Sequence, residues 1–294
     1  MSKASPGGGA PPSEYALLAQ EHGLPLQKGR PPLGDYLRDL WRSRSFTWAL
    51  AKTRAYAQNE NTYLGQIWSI LTPLLYAGVY YLIFGVVLNT RAGVDNFPAF
   101  LITGLFVFQF CSGALNRGST AVTSNVAMIR SLRFPRAALP ISVAITELLT
   151  VLPAIVVMYV LVWLTGETPQ WTWLMAIPAF ALITVFNIGV ALIASRLVSQ
   201  FRDVRNLIPF VVQLLRYMSG LFFSIAAYTE GLPLLGAILQ YQPFALSLEL
   251  VRGALLAEIS VSSTEALVMA GWALLALVGG AIYFWRREGK YGVE

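Results

Sequence analysis

The chain has 294 residues, of which 56% are hydrophobic and only 12% charged, with a formal net charge of +6. A soluble domain of this length carries about twice that charged fraction, so the composition excludes an ordinary water-soluble protein. The positive surplus does not point to nucleic acid either, because it follows a membrane pattern and forms no basic patch interleaved with aromatics outside the apolar spans.

Residues 1–34 are rich in Gly and Pro, lack an apolar core of signal-peptide length and read as a mobile leader containing the only histidine, His22. Residues 35–58 interleave Leu37, Leu40, Trp41, Trp48 and Leu50 with Arg38, Arg42, Arg44, Lys52 and Arg54. That pattern predicts an amphipathic helix lying along the cytoplasmic membrane surface.

Residues 61–288 predict an all-α integral membrane domain of six spans, at 61–90, 97–115, 141–164, 171–195, 207–225 and 265–285. Each is close to the ~20 residues needed to cross ~30 Å of hydrocarbon. Of 21 Lys and Arg residues, 18 fall in the N-terminal region, the loops 116–140 and 196–206, and the tail after 285. Positive charge is retained on the cytoplasmic face, so both termini are expected inside a multi-pass plasma (inner) membrane protein. Residues 231–248 carry no charge but are interrupted by Gly231, Pro233, Gly236 and Pro243. A seventh crossing there would place Arg286, Arg287 and Lys290 outside, so an outer re-entrant hairpin is expected instead.

Within the spans the ionisable residues are Glu147 and Arg216, both near the cytoplasmic ends of their helices. A lone charge at the centre of a membrane helix costs about 2.5–3.5 kcal/mol on insertion scales, so the two are expected to meet as an ion pair or inner gate. The single cysteine, Cys111, excludes a disulfide framework within the chain and a cysteine-based metal site. None of the four lysines sits in a P-loop, and HExxH and GxSxG are absent. No catalytic residue, metal site or cofactor is therefore assigned to this chain.

Two patterns suggest binding. Tyr76, Tyr80 and Phe84 recur at helical spacing in span one, Phe106 and Phe110 repeat the spacing in span two, and Tyr217, Phe222 and Phe223 add to it from span five. Sugar rings stack their C–H faces on aromatics, so a neutral aromatic stripe suits a polysaccharide conduit. Packing and lipid contact are the ordinary alternatives. In the inner loop, Ser124 can cap a short helix over 124–133 whose apolar residues are Val126, Met128, Ile129 and Leu132, with Arg130 and Arg133 at its rim and Phe134-Pro135 ending it. Such a helix suits docking to a soluble partner, although a plain basic loop explains the charges equally well.

Three stretches resemble one family. They are Tyr63-Leu64-Gly65-Gln66-Ile67-Trp68 with Pro73, the inner loop Met128 to Arg136 followed by Leu139-Pro140, and Gln242-Pro243-Phe244 with Leu250-Val251-Arg252-Gly253-Ala254-Leu255-Leu256. In order and spacing they are similar to ABC-2-type exporter permeases, in particular the membrane subunits of bacterial polysaccharide exporters of O-antigen, teichoic acid and cell-wall galactan. Residues 58–61, Gln-Asn-Glu-Asn, depart from the shorter basic–aromatic link of that family. The resemblance implies a homodimer of six-span subunits with two separate ATP-binding subunits, which carry the ATP and Mg. It also implies that residues 124–133 form the coupling helix. A polyprenyl-diphosphate-linked glycan would then enter from the inner leaflet past Arg38, Arg42, Arg54 and Arg117, with galactan the first expectation from the Arg-rich composition and the family. The alternatives are a small-molecule or antibiotic exporter of the same family, or a membrane-embedded transferase of envelope assembly.

Overall fold

The computed structural model describes residues 32–57, 67–87, 93–229 and 231–288, and every regular element within them is helical. Most of the leader with His22, the link 58–66 with most of the first family motif, Arg91, Glu230 and Lys290 lie outside the described residues.

The segment expected to form one amphipathic helix is two helices. Helix α1 (Leu33–Arg42) begins directly after Pro32, and α2 (Arg44–Ala57) follows a one-residue break at Ser43. Tyr36 is the buried residue of α1, while Thr47 and Ala51 turn α2 inward. Helix α3 (Ile67–Tyr80) continues as a π-helical stretch, Tyr81–Val87. Helix α4 (Phe97–Ser119) is the central element and packs against five other helices. Its N-terminus is capped by Asn96, whose side chain accepts from the Ala99 N–H at 3.3 Å. Helix α5 (Val126–Ser131) is short and precedes α6 (Ala138–Leu164), on which α2 lies. The Thr146 hydroxyl of α6 donates to the Ala51 carbonyl of α2 at 3.2 Å.

A 3₁₀ turn, Trp171–Met175, leads into α7 (Ala176–Gln200), and the chain closes on α12 (Ser263–Trp285), which starts with a reciprocal Ser262–Glu265 capping box. Helices α7 and α12 cross closely. A Cβ on Gly189 would lie 2.2 Å from the Ala276 carbonyl carbon, and one on Gly280 would lie 2.6 Å from the Gly189 oxygen. Ala276 and Gly280 are small residues four apart, so the crossing uses the small-residue rule of membrane helices without a Gly–Gly pair.

Five segments are long and apolar enough to cross a membrane: Ile70–Val87, Phe97–Ser119, Ala138–Leu164, Trp171–Gln200 and Ser263–Trp285. The expected fifth span is different. Helix α8 (Val204–Met218) has 15 residues, about 22 Å at 1.5 Å per residue, which is short of the ~30 Å of hydrocarbon. The helix ends at Ser219, and Gly220 adopts φ +68°, a left-handed conformation in which a Cβ would be strained and would also meet Ile225. Residues 219–222 continue as buried irregular chain to α9 (Ile225–Tyr228), where Ala227 packs on Gly93 beside the start of α4. Since α7 ends near the opposite end of α4, α8 and this segment together join the two ends of the bundle.

The hairpin that follows is α10 (Pro233–Gln240) and α11 (Pro243–Leu255), bent by 77°. Its tip lies inside the bundle: the Trp272 indole donates to the Tyr241 carbonyl at 3.0 Å, and Phe244 packs on Phe108 and Phe186 at 5.9 and 6.2 Å. Both of its ends return to the end where α4 begins. Helix α10 follows α9, which packs on Gly93, and beyond α11 the Ala257 N–H bonds Glu167 at 3.2 Å.

Candidate functional site

The aromatic stripe is a connected wall. Tyr76 and Tyr80 stack at 6.2 Å, Tyr80 and Phe84 lie 6.5 Å apart, and Phe222 joins them at 4.6 Å from Tyr80 and 5.3 Å from Phe84. Tyr217 of α8 reaches Phe222 at 5.7 Å. So α3 and the irregular segment after α8 form one surface, on which Tyr76 and Tyr217 are about half exposed at 49% and 51%. Phe223 instead pairs with Tyr228 at 5.4 Å. Phe106 and Phe110 are buried at 1% and 2%, and Phe110 packs on Phe180, which places both in the core rather than on the wall.

The membrane charges do not pair as the sequence suggests. Glu147 accepts both the Nε and Nη2 groups of Arg117, not Arg216. The room for this comes from Gly113, where a Cβ would sit 2.4 Å from a Glu147 carboxylate oxygen and 2.9 Å from Arg117 Nη2. Arg216 instead lies over aromatic rings, 5.5 Å from Phe108 and 6.0 Å from Tyr76, where its charge meets ring quadrupoles. The sequence pattern puts Arg117 in the loop, whereas α4 extends through Ser119 and holds Arg117 in its last turn.

A cavity of about 250 Å³ borders the pair and is lined by Trp68, Thr72, Phe106, Gln109, Phe110 and Thr150, among others. Another of about 350 Å³ lies at the α5 end of α4 and shares Arg117 and Glu147 with the first. Arg54 lines this second cavity and donates to Ser142 Oγ at 3.0 Å and Asn125 Oδ1 at 2.8 Å. Burial pulls its guanidinium below the usual arginine value, since desolvation disfavours the charged form. Arg38 and Arg42 stand exposed on α1, and Arg42 lies 4.0 Å from Asp39 on the same helix face. The four arginines therefore divide into two, Arg54 and Arg117, that share a cavity, and two that stay on the outside of α1.

The predicted coupling helix is shorter than 124–133. A 3₁₀ turn, Thr123–Asn125, precedes α5, and Asn125 rather than Ser124 takes the cap position, with its side chain bonded to Ala121 and Arg54 instead of the helix N-terminus. Ile129 is buried and Met128 partly so, which anchors the helix to the bundle, while Ser124, Arg130, Leu132 and Arg133 are exposed. Leu132 is extended and 52% exposed, ahead of Pro135.

One cluster had no signal in the sequence. Glu288, after the last span, is 8% exposed; it accepts from the Tyr36 hydroxyl at 2.9 Å and from the Arg136 N–H at 2.8 Å, while Arg136 Nη1 donates to the Glu288 carbonyl. Burial raises the Glu288 carboxyl above its ordinary value, against the opposing pull of those donors. The clasp ties α1, the segment after α5 and the end of α12 together. Its members lie at least 100 residues apart in the chain, so no local pattern reveals them.

Residues 46–256 match the family model described as ABC-2 type transporter. The O-antigen export system permease protein RfbA of Klebsiella pneumoniae is 32% identical over 187 residues, covering 63% of this chain and 70% of the relative. RfbA of Myxococcus xanthus is 27% identical over 195 residues, covering 66% and 74%. The polysialic acid transport protein KpsM of Escherichia coli is 24% identical over 227 residues, covering 76% and 87%.

Proposed function

The chain belongs to the ABC-2 type transporter family, and from that premise we propose that it is the permease subunit of an ATP-driven polysaccharide exporter. It is a transport subunit of the inner membrane, not itself an enzyme, and the family implies a separate ATP-binding partner. In this reading the cargo is a polysaccharide, as the names of the O-antigen and polysialic acid relatives suggest. It is carried on a polyprenyl diphosphate, and galactan is one cargo of that class.

The observation that carries this reading is the wall of Tyr76, Tyr80, Phe84, Tyr217 and Phe222. Its one charge is Arg216 beneath Tyr76, and Gln213 donates to the Tyr217 hydroxyl at 3.2 Å. Helix α3 and its π-helical continuation leave Leu75, Tyr76, Val79 and Leu82 exposed, and α8 leaves Phe210, Leu214 and Tyr217 exposed beside them. A homodimer facing two such walls would enclose a neutral aromatic conduit along which a glycan slides without being trapped by charge. Helix α5 and its exposed Arg130, Leu132 and Arg133 would seat in the ATP-binding partner, both termini would be cytoplasmic, and the α10–α11 hairpin would be re-entrant at the outer face.

Depletion of the protein, followed by mass analysis of lipid-linked glycans left inside the cell, tests the reading. Accumulation of a long polyprenyl-linked polymer supports it. A polymer that still reaches the surface, with nothing retained, overturns it in favour of a small-molecule exporter.

A further inference from the structure

Helix α2 does not close against α6 along its whole length. Trp48, Lys52 and Ala55 of α2 face Leu149 and Pro153 of α6 across a groove of about 280 Å³. The α2 residues recur four and three apart, so they form one stripe of that helix. The lining is largely apolar, and its one charged residue is Lys52. Lys52 is exposed and has no acidic partner among the described residues. Pro153 has no N–H, which deprives the Leu149 carbonyl of its helical donor.

The groove opens onto the face that α6 shows to the bilayer. Beyond Pro153 the same helix face continues as Val156 and Val160, 64% and 46% exposed. Helix α6 is long and apolar enough to cross a membrane, so these residues meet acyl chains. Trp48 and Tyr56, which also lines the groove, are more than half exposed. Such amphipathic rings sit at headgroup level. An unpaired ammonium among them, beside an apolar slot that runs on into a lipid-facing stripe, is the chemistry of a phospholipid. The phosphate meets the cation, and the chain meets the slot.

We infer that this groove binds one anionic phospholipid from the leaflet that α2 borders. Its phosphate lies on Lys52, and one acyl chain runs along Leu149 and Pro153 onto Val156. The bound lipid braces α2 against the span. Arg54 on the same helix donates to Asn125 at 2.8 Å, so the brace also steadies the segment that leads into α5. The site does not depend on what the exporter carries.

The test uses the full chain, purified in detergent, stripped of lipid and titrated with phosphatidylglycerol, phosphatidylcholine or a polyprenyl monophosphate. Binding is read by native mass spectrometry. Lys52→Gln is expected to weaken phosphatidylglycerol about fivefold, the worth of one cation near an anionic lipid surface, and to leave phosphatidylcholine unchanged. Arg205→Gln, exposed in the first turn of α8, is the control for general surface charge and is expected to change neither. Ala55→Phe fills the groove while keeping Lys52, and is expected to weaken both phospholipids. Phosphatidylglycerol should also raise the melting temperature of the wild type more than that of either variant. Lys52→Gln is a surface substitution, so it decides the matter even where Ala55→Phe does not fold. Phosphatidylglycerol binding that is unchanged in Lys52→Gln, or reduced as much in Arg205→Gln, overturns the site. Full binding by a folded Ala55→Phe chain removes the acyl chain from the groove and overturns it as well. Tighter binding of polyprenyl monophosphate than of phosphatidylglycerol, lost in the same variants, gives the groove to a polyprenyl lipid and overturns the phospholipid assignment.

Discussion

Arg252 donates to the carbonyl of Gly220 at 3.0 Å from a side chain with no solvent exposure. The same guanidinium bonds the carbonyls of Leu221 at 3.1 Å and Phe100 at 3.3 Å and the Glu249 carboxylate at 3.0 Å, and it stacks 3.4 Å from the Phe100 ring. Gly220 and Leu221 lie where α8 stops being helical, so their carbonyls have no helical partner. Non-helical backbone at depth is tolerated where protein satisfies it. The arginine of the third family motif therefore holds together the break that lets a 15-residue helix join the two ends of the bundle.

Replacing Arg252 should thus damage folding before transport. Arg252→Met would strand the Gly220 and Leu221 carbonyls and leave Glu249 unpaired, at a cost of about 3–5 kcal/mol. Arg252→Lys keeps the charge but not the fork, and should lose a smaller part. Thermal unfolding of the purified chain in detergent measures both; a Met variant as stable as the wild type would rule out this role.

The Arg117–Glu147 pair predicts a coupled mutant cycle. Glu147→Gln and Arg117→Gln should each destabilise by about 2–3 kcal/mol, less than a fully buried pair because Arg117 is half exposed. The double variant should lose less than the sum of the two. Arg216→Gln, whose guanidinium lies on rings, should add independently to Glu147→Gln. Coupling between Glu147 and Arg216 in unfolding assays would restore the pairing that sequence alone suggests.

Glu288 predicts a pH dependence with a definite sign. Burial raises its carboxyl above the unfolded value, so the folded state binds the proton more tightly. Its contribution is fully present below the ordinary carboxylate range and is lost as pH rises through the folded value. Glu288→Gln should flatten that part of the stability profile, and Tyr36→Phe, which removes the 2.9 Å donor, should shift it to higher pH. Melting curves across the acidic range distinguish these outcomes from a Glu288 with no role.

Tyr76 and Tyr80 predict a transport phenotype without a folding one. Tyr76 is half exposed, and Tyr80 is partly buried, stacked on Tyr76 and packed on Phe222. Tyr76→Ala with Tyr80→Ala should slow surface delivery of the polymer while membrane insertion and assembly persist. Normal delivery by the double variant would remove the wall from the conduit.

The amino-acid sequence alone determined the all-helical membrane class, the approximate position of five of the six expected spans and the aromatic spacing of Tyr76, Tyr80 and Phe84. Those properties depend on period, length and charge distribution, which are local along the chain. Tertiary structure decided the rest. It gave Glu147 the partner Arg117, because α4 runs one turn past the expected boundary and Gly113 leaves space beside it. It buried Phe106, Phe110 and Phe222 alike and left Tyr76 and Tyr217 half exposed, although all five are aromatics in apolar stretches. It broke α8 at Gly220, where Arg252, 32 residues onward, supplies the hydrogen bonds the helix gives up. It also closed the clasp of Tyr36, Arg136 and Glu288. Each of these depends on which distant residues share a few ångströms of space. Hydrogen bonds and ion pairs act at that range, and no local pattern along the chain encodes it.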